Sequence, residues 1–362
     1  MVSLATMEIG IVGLPNVGKS TLFNALTSAH AASSNYPFTT IEPNVGVVQV
    51  PDPRLQRLSA VFQPKKTTPA SVRFVDIAGL VQGASKGEGL GNQFLSHIRE
   101  VDAVLHLTRL FRDPDVVHTL GEVDPSRDIA IIETELILAD LASMDRQFDK
   151  VSGKARTGDK KAVATLAVLE KVKAALEAGK PASGLGVPPA ELKEFSLISA
   201  KPVVFVGNTD EKPAPGDLQA FEEAARSRNA EHLTLCGKLE AEIAQLAPED
   251  RGPFLADLGL SQTGLERVIL AAYRLLGLQS YFTGGEDEVR AWTIRKGMRA
   301  PQAAGVIHTD FEKGFIRADV YTYAQLDKEG SEAGLRAKGL IRSEGKEYVV
   351  EDGDVCFFKI NG

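Results

Sequence analysis

Only two cysteines, Cys236 and Cys356, occur in 362 residues. They cannot build a disulfide framework and lack metal-ligand spacing, so a reducing cytoplasm is the simplest compartment. No apolar stretch approaches the ~20 residues of a membrane span. Residues 1–6 lack the basic and long apolar regions of a signal peptide. An excess of positive charge is missing too: 41 Lys and Arg stand against 48 Asp and Glu, a net charge of −7. That argues against a wholly basic nucleic-acid binder but leaves room for a local basic patch docking on a large RNA–protein surface. What is there is 43% apolar and 25% charged, as in soluble globular proteins, and long enough for roughly two or three domains.

The most informative segment is Gly-Leu-Pro-Asn-Val-Gly-Lys-Ser at residues 13–20. It fits G-x-x-x-x-G-K-[ST], the loop that cradles nucleotide phosphates. Its flanks agree: residues 8–12 suit a buried strand and residues 20–26 suit a helix. Gly13 and Gly18 let the backbone turn tightly, so that its N–H groups face the β-phosphate. Lys19 then neutralises β/γ oxygens, and the Ser20 hydroxyl reaches Mg²⁺.

Strand candidates at residues 72–76 and 103–107 alternate with helices, which predicts an α/β domain with a mainly parallel sheet. The pattern resumes at residues 202–206, so that domain is interrupted. The interruption is helical: Ile129, Ile132, Leu136 and Ala139 recur at helical spacing, then Leu166, Leu169, Val172 and Leu176 do the same. Two such stripes joined by a turn predict an antiparallel helical hairpin whose helices pack on each other. Its tip is basic, with Lys150, Lys154, Arg156, Lys160 and Lys161. From about residue 279 short β-rich runs dominate and predict a small α+β domain. The expected segments are 1–124 and 201–278 for the α/β domain, 125–200 for the hairpin, and 279–362 for the C-terminal domain.

Asp-Ile-Ala-Gly at residues 76–79 follows its strand. Behind a P-loop, Asp-x-x-Gly places Asp76 on the Mg²⁺ shell and the Gly79 N–H near the γ-phosphate. Between the two motifs lies Tyr-Pro-Phe-Thr-Thr at residues 36–40, where Thr40, in preference to Thr39, is expected to ligate Mg²⁺ as part of a switch. A GTPase would carry Asn-Lys-x-Asp for the base; here the segment is Asn208-Thr209-Asp210-Glu211. Thr209 cannot pack on the base as that lysine stem does. Glu211 is one methylene longer than the aspartate that accepts from guanine, while Asn208 suits adenine's N7 and 6-amino group. ATP is therefore favoured over GTP, with Asp210 as a shorter acid one residue away. Leu80 stands where many GTPases have a water-orienting glutamine, so hydrolysis is slow or another group acts. His97 falls on an expected helix, His106 in an apolar strand and His118 in a loop before a helix, which leaves His118 free to approach the nucleotide. The Gly-rich residues 83–91 suit a switch.

These motifs in combination resemble the YchF family, the Obg-like ATPases. They are Gly-Leu-Pro-Asn-Val-Gly-Lys-Ser-Thr, Asn-Tyr-Pro-Phe-Thr-Thr-Ile-Glu-Pro-Asn, Asp-Ile-Ala-Gly-Leu-Val and Asn-x-x-Glu. Residues 290–294 and 307–317 look like that family's TGS domain. The resemblance implies a Ras-like P-loop NTPase domain, an antiparallel helical coiled-coil insertion and a C-terminal β-grasp (TGS) domain. It implies a cytoplasmic ATPase, with Mg²⁺, that associates with the ribosome (70S and its 50S subunit), with RNA contact through the TGS domain and hairpin and no membrane. It identifies His118 as the catalytic histidine beside Lys19, with Leu80 a hydrophobic substitute for glutamine. The nucleotide-binding set is Pro15, Asn16, Val17, Gly18, Lys19, Ser20, Thr21, Gly79, Phe111, Asn208 and Thr209, with Phe111 as an apolar contact to adenine. The metal set is Ser20, Thr40 and Asp76. Asn16 matches a P-loop asparagine that binds potassium in some related NTPases. The chain departs from the family pattern at residues 234–238, where Gly237 is expected to loosen the backbone behind the base. Two other readings stay open: a GTP-dependent translation factor, and a non-enzymatic scaffold holding ATP as a structural ligand.

Overall fold

The computed structural model describes residues 7–31, 44–77, 90–188, 191–192 and 194–361. Two compact units divide the chain. One holds Glu8–Gly46 and Phe74–Val268; the other includes Val47–Arg73 and Ile269–Gly362.

In chain order the elements begin β1 (Glu8–Val12), α1 (Lys19–Ala31), β2 (Val45–Gln49), α2 (Pro53–Phe62), β3 (Lys66–Thr68), β4 (Ser71–Asp76), α3 (Leu90–Glu100) and β5 (Ala103–Arg109). Two long helices follow, α4 (Pro125–Arg156) and α5 (Lys160–Glu177). After them come β6 (Val203–Asn208), α6 (Pro215–Arg226), β7 (Glu231–Leu235), α7 (Gly237–Gln245), α8 (Pro248–Asp257) and α9 (Gly264–Leu275). The C-terminal part adds β8 (Leu278–Thr283), β9 (Glu288–Arg295), α10 (Ala300–Ile307), α11 (Thr309–Lys313) and β10 (Phe315–Thr322). It closes with α12 (Tyr323–Glu329), α13 (Glu332–Ala337), β11 (Arg342–Glu344) and β12 (Asp354–Ile360).

The nucleotide-domain sheet has the order β2-β4-β1-β5-β6-β7, and β1–β5, β5–β6 and β6–β7 all pair in parallel. Parallel strands need crossover connections that cover both faces, so their sequences read as continuous apolar runs. Every residue of β5 is buried, as are Ile9, Ile11 and Val12 of β1.

The hairpin forms where its stripes place it. Asp124 caps α4 by accepting from the Arg127 N–H, with Pro125 at the first helical position. Asp159 caps α5 through the Lys161 and Ala162 N–H groups. Ile137 and Met144 of α4 pack with Leu169, Val172 and Leu176 of α5. The stripe is not all hairpin seam, however. Ile129 packs with Leu110, Phe205 and Phe221 in the core of the nucleotide domain. The first turns of α4 therefore belong to the body, and only the later ones to the hairpin.

Three acidic residues fasten this root. Asp128 meets His118. Glu133 forms a two-pronged ion pair with Arg228, with N···O distances from 2.7 to 3.1 Å. Asp140, fully buried, accepts the Ile198 N–H at 3.0 Å and the Ser199 N–H at 2.8 Å, where the chain returns from the hairpin. Burial raises the Asp140 pKa above the usual carboxylate value, against these hydrogen bonds.

The C-terminal sheet has the order β11-β10-β12-β8-β9-β3. Strand β3, far away in sequence, pairs in parallel with β9. Tyr281, Ile294, Ala318, Val320 and Cys356 pack beneath α10 against Ala300, Ala303 and Ala304.

Candidate nucleotide site

The phosphate loop runs from the end of β1 to Lys19, the first residue of α1. Its turn uses two left-handed residues, Asn16 (φ 62°) and Gly18 (φ 92°), a region that asparagine tolerates and glycine adopts freely. The free N–H groups at the start of α1 make an anion site of its N-terminus. Ser20 and Thr21 are exposed on that first turn, Pro15 is half-buried and Val17 is buried. Asp76, closing β4, ion-pairs with the Lys19 ammonium. Predicted sites Asp76 and Lys19 are thus brought together, with Ser20 beside them. The donor set, one carboxylate and one hydroxyl, suits Mg²⁺, which takes oxygen ligands and keeps its remaining positions for phosphates and water. Thr40, Gly79 and Leu80, and residues 83–89, lie outside the described residues.

At the base end Asn208 joins two loops. Its Nδ2 donates to the Val17 carbonyl at 3.0 Å, and its Oδ1 accepts the Gly237 N–H at 2.9 Å. Both neighbours must be glycine for this approach. A Cβ on Gly18 would lie 2.3 Å from Asn208 Nδ2, and one on Gly237 2.9 Å from Oδ1. Gly237 therefore tightens this corner, where the sequence suggested looseness. With Oδ1 already accepting, Asn208 keeps one spare Nδ2–H, a donor that would suit purine N7, an atom adenine and guanine share. Thr209, also buried, turns its hydroxyl onto the Leu235 carbonyl at 3.2 Å. Asp210 is occupied by the Arg112 N–H at 2.9 Å, while Glu211 is exposed.

The loop after β5 carries the remaining candidates. Arg109, 3% exposed, has its guanidinium directed at three carbonyls: Phe111 at 3.1 Å, Val116 at 2.8 Å and Asn16 at 3.5 Å. It also lies over the Phe111 ring, 4.2 Å from its centre, so one face of that ring is already covered. Burial lowers the Arg109 pKa, with Asp113, Asp210 and Asp128 opposing. The Asn16 amide donates to the Val117 carbonyl at 3.1 Å. The phosphate loop and the His118 loop are therefore held to each other by Asn16 and Arg109. Beside them is an open cavity of about 750 Å³, lined by Arg109, Arg112, Val116, Val117 and His118 among others.

His118 is buried, unlike the free loop histidine its sequence setting suggested. Its Nε2 lies 2.9 Å from Asp128 Oδ2, and its Nδ1 accepts the Leu120 N–H at 3.1 Å. His106, in β5, is packed against Phe205 with ring centres 5.2 Å apart. Burial, with Arg228 nearby, lowers its pKa to about 3. His97 lies on α3. Arg109 and Asp128 were not singled out from sequence. The signals were present: a lone arginine ending an apolar strand, and an acid in the first turn of α4 ten residues after His118.

A mainly parallel sheet with this phosphate loop between β1 and α1, and an aspartate from β4 on the loop lysine, defines a P-loop NTPase domain. Residues 8–140 match the model of a family described as 50S ribosome-binding GTPase. Residues 278–361 match the YchF-GTPase C-terminal family, described as a protein of unknown function (DUF933). The chain is 51% identical to the ribosome-binding ATPase YchF of Bacillus subtilis, covering 98% of this chain and 99% of the relative. It is 44% identical to Obg-like ATPase 1 of Rattus norvegicus, over 98% and 93%. The solved structure of the Schizosaccharomyces pombe YchF GTPase superposes with a TM-score of 0.88 at 38% identity, covering 98% and 97%. The chain belongs to the YchF family.

Proposed function

We propose that this protein is an ATPase that binds ATP in preference to GTP, hydrolyses it slowly to ADP and phosphate, and associates with the ribosome through its large (50S) subunit. The observation that carries the reading is the Lys19–Asp76 pair at the phosphate loop. A triphosphate with Mg²⁺ gives each charge a counterpart, the phosphates for Lys19 and the metal for Asp76. The relatives' names support hydrolysis and the ribosome, since the Bacillus subtilis protein is called a ribosome-binding ATPase. They do not choose the base, because the Schizosaccharomyces pombe protein is called a GTPase.

Adenine is favoured by what the base end offers. Thr209 supplies no long stem to lie along the base, and Asp210 is turned onto Arg112. The Gly237 N–H is spent on Asn208, which leaves that donor unavailable to the guanine oxygen. Phe111 and the exposed Glu211 complete the base end. In the reaction, Lys19 and the backbone N–H groups of residues 16–21 hold the phosphates. Ser20, Asp76 and Thr40 would hold Mg²⁺, which supplies charge neutralisation when bound. His118 orients the attacking water in place of the glutamine that Leu80 replaces. The Asn16 side chain is the group that would meet a potassium ion. Nucleotide state then controls how the hairpin and the C-terminal domain engage the ribosome in the cytoplasm.

ATP and GTP affinities measured side by side test the base preference, and a clear GTP preference overturns it in favour of a GTP-dependent factor. His118→Ala should cut single-turnover hydrolysis by about 10²-fold or more while leaving ATP affinity nearly unchanged. Unchanged turnover removes His118 from the mechanism. Sedimentation with ribosomal subunits, with and without ATP, tests the partner.

A further inference from the structure

The bonding of His118 fixes its tautomer. A backbone N–H can only donate, so His118 Nδ1, which receives the Leu120 N–H at 3.1 Å, is the unprotonated nitrogen. Nε2 therefore carries the hydrogen and donates it to Asp128 Oδ2 at 2.9 Å. Both side chains are buried, 5% and 2% exposed. The other Asp128 oxygen, Oδ1, accepts from Arg127 Nε at 3.2 Å and Nη2 at 3.1 Å, and Arg127 Nη2 also donates to the Glu122 carbonyl at 2.6 Å. The carboxylate is thus held on both oxygens, in the first turn of α4.

We propose that Asp128 is the positioning residue for His118. The inference rests on the reading of His118 as the residue that orients water. A carboxylate accepts only, so opposite Nε2 it enforces the Nε2–H form and leaves Nδ1 as the sole acceptor of the ring. Nδ1 is the atom that takes the hydrogen bond from the attacking water. Its present donor, Leu120 N–H, belongs to the same loop two residues on. Exchanging that donor for a water O–H needs a local adjustment of residues 118–121 and leaves the bond to Asp128 intact. The ring keeps its orientation through the reaction because the root of α4, not the loop, holds it.

The test is Asp128→Asn, which preserves size but presents an NH₂ as readily as an oxygen to Nε2, so the tautomer is no longer enforced. The expected result is a fall in kcat of about tenfold or more with KM for ATP within about twofold. Asp128→Glu, which retains a carboxylate, should recover part of the loss. His118→Ala combined with Asp128→Asn should be no slower than His118→Ala alone. Nitrogen-15 spectra of the imidazole in the unsubstituted protein give a second measure that needs no variant, with Nε2 protonated and Nδ1 bare as the expected form. An Nδ1–H form, or full kcat in Asp128→Asn while His118→Ala is slow, overturns the role of Asp128. Full turnover in His118→Ala instead overturns the underlying reading of His118.

Discussion

Asn208 shows how much one side chain carries at a site where the sequence suggested only base recognition. Its amide closes the gap between the phosphate loop and the start of α7, and its removal strands the Val17 carbonyl and the Gly237 N–H. Asn208→Ala should destabilise the protein by about 1–3 kcal/mol. It should weaken ATP and GTP by similar factors, read from urea unfolding and paired nucleotide affinities; a loss confined to ATP would return Asn208 to a base-selecting role. His106 makes a prediction in pH. Its folded pKa, about 3, lies below the ordinary 6.5, so between these values the unfolded chain binds the extra proton. Stability should therefore be lost as pH falls from 6.5 toward 3, at up to about 1.4 kcal/mol per pH unit, and this contribution should level off below that window. His106→Leu should remove this slope in denaturant midpoints measured across the window, and an unchanged slope would assign the acid sensitivity elsewhere. The meeting of Lys19 and Asp76 was legible because their motifs name both residue and neighbour. The buried state of His118 was not, since its partner Asp128 belongs to the next helix and no local pattern reports which way a loop side chain turns.

The helical hairpin is the element the sequence described best, although the Asp159 cap of α5 was found only in the structure. Periodicity revealed that Ile129 and Ile132 face something apolar. It could not say that Ile129 faces Phe205 and Phe221 instead of α5, because a stripe records burial and not the partner. Strand β3 was illegible for a related reason. Lys66 and Thr67 are exposed, and membership of the C-terminal sheet comes from pairing with β9 across more than two hundred residues. The root of α4 is where the element's stability can be checked. Asp140→Ala leaves the Ile198 and Ser199 N–H groups without their acceptor in a buried place. It should cost about 1–3 kcal/mol and raise amide exchange around residues 198–199, with little change in ATP affinity. Protection that stays at the unsubstituted level would show that Asp140 does not fasten the returning chain.

On the scale of the whole molecule, the net charge of −7 hides a local reversal. Lys150, Lys154, Arg156, Lys160 and Lys161 are all exposed around the turn between α4 and α5. Lys154 and Arg156 suit the end of α4, where the helix dipole favours cations. Lys160 and Lys161 stand at the start of α5, where it opposes them, so helix stability does not account for their charge. The combined change Lys154→Glu, Arg156→Glu and Lys160→Glu should weaken sedimentation with ribosomes, most at low salt. Basal hydrolysis should remain as it was. Undiminished sedimentation would move the proposed contact away from the tip.

The long helix α4 also has a mechanical consequence. Its attachments at Asp128 and Asp140 are 12 residues apart, about 18 Å at 1.5 Å per residue, and Arg156 lies about 24 Å beyond Asp140. A beam clamped in this way pivots at the outer fastening. A sideways load on the overhang is felt on the inner side of that pivot with opposite sense, shared between Glu133, paired with Arg228, and Asp128. Asp128 is the innermost of these fastenings, so part of a push on the far end of the hairpin arrives at the carboxylate that holds the imidazole of His118.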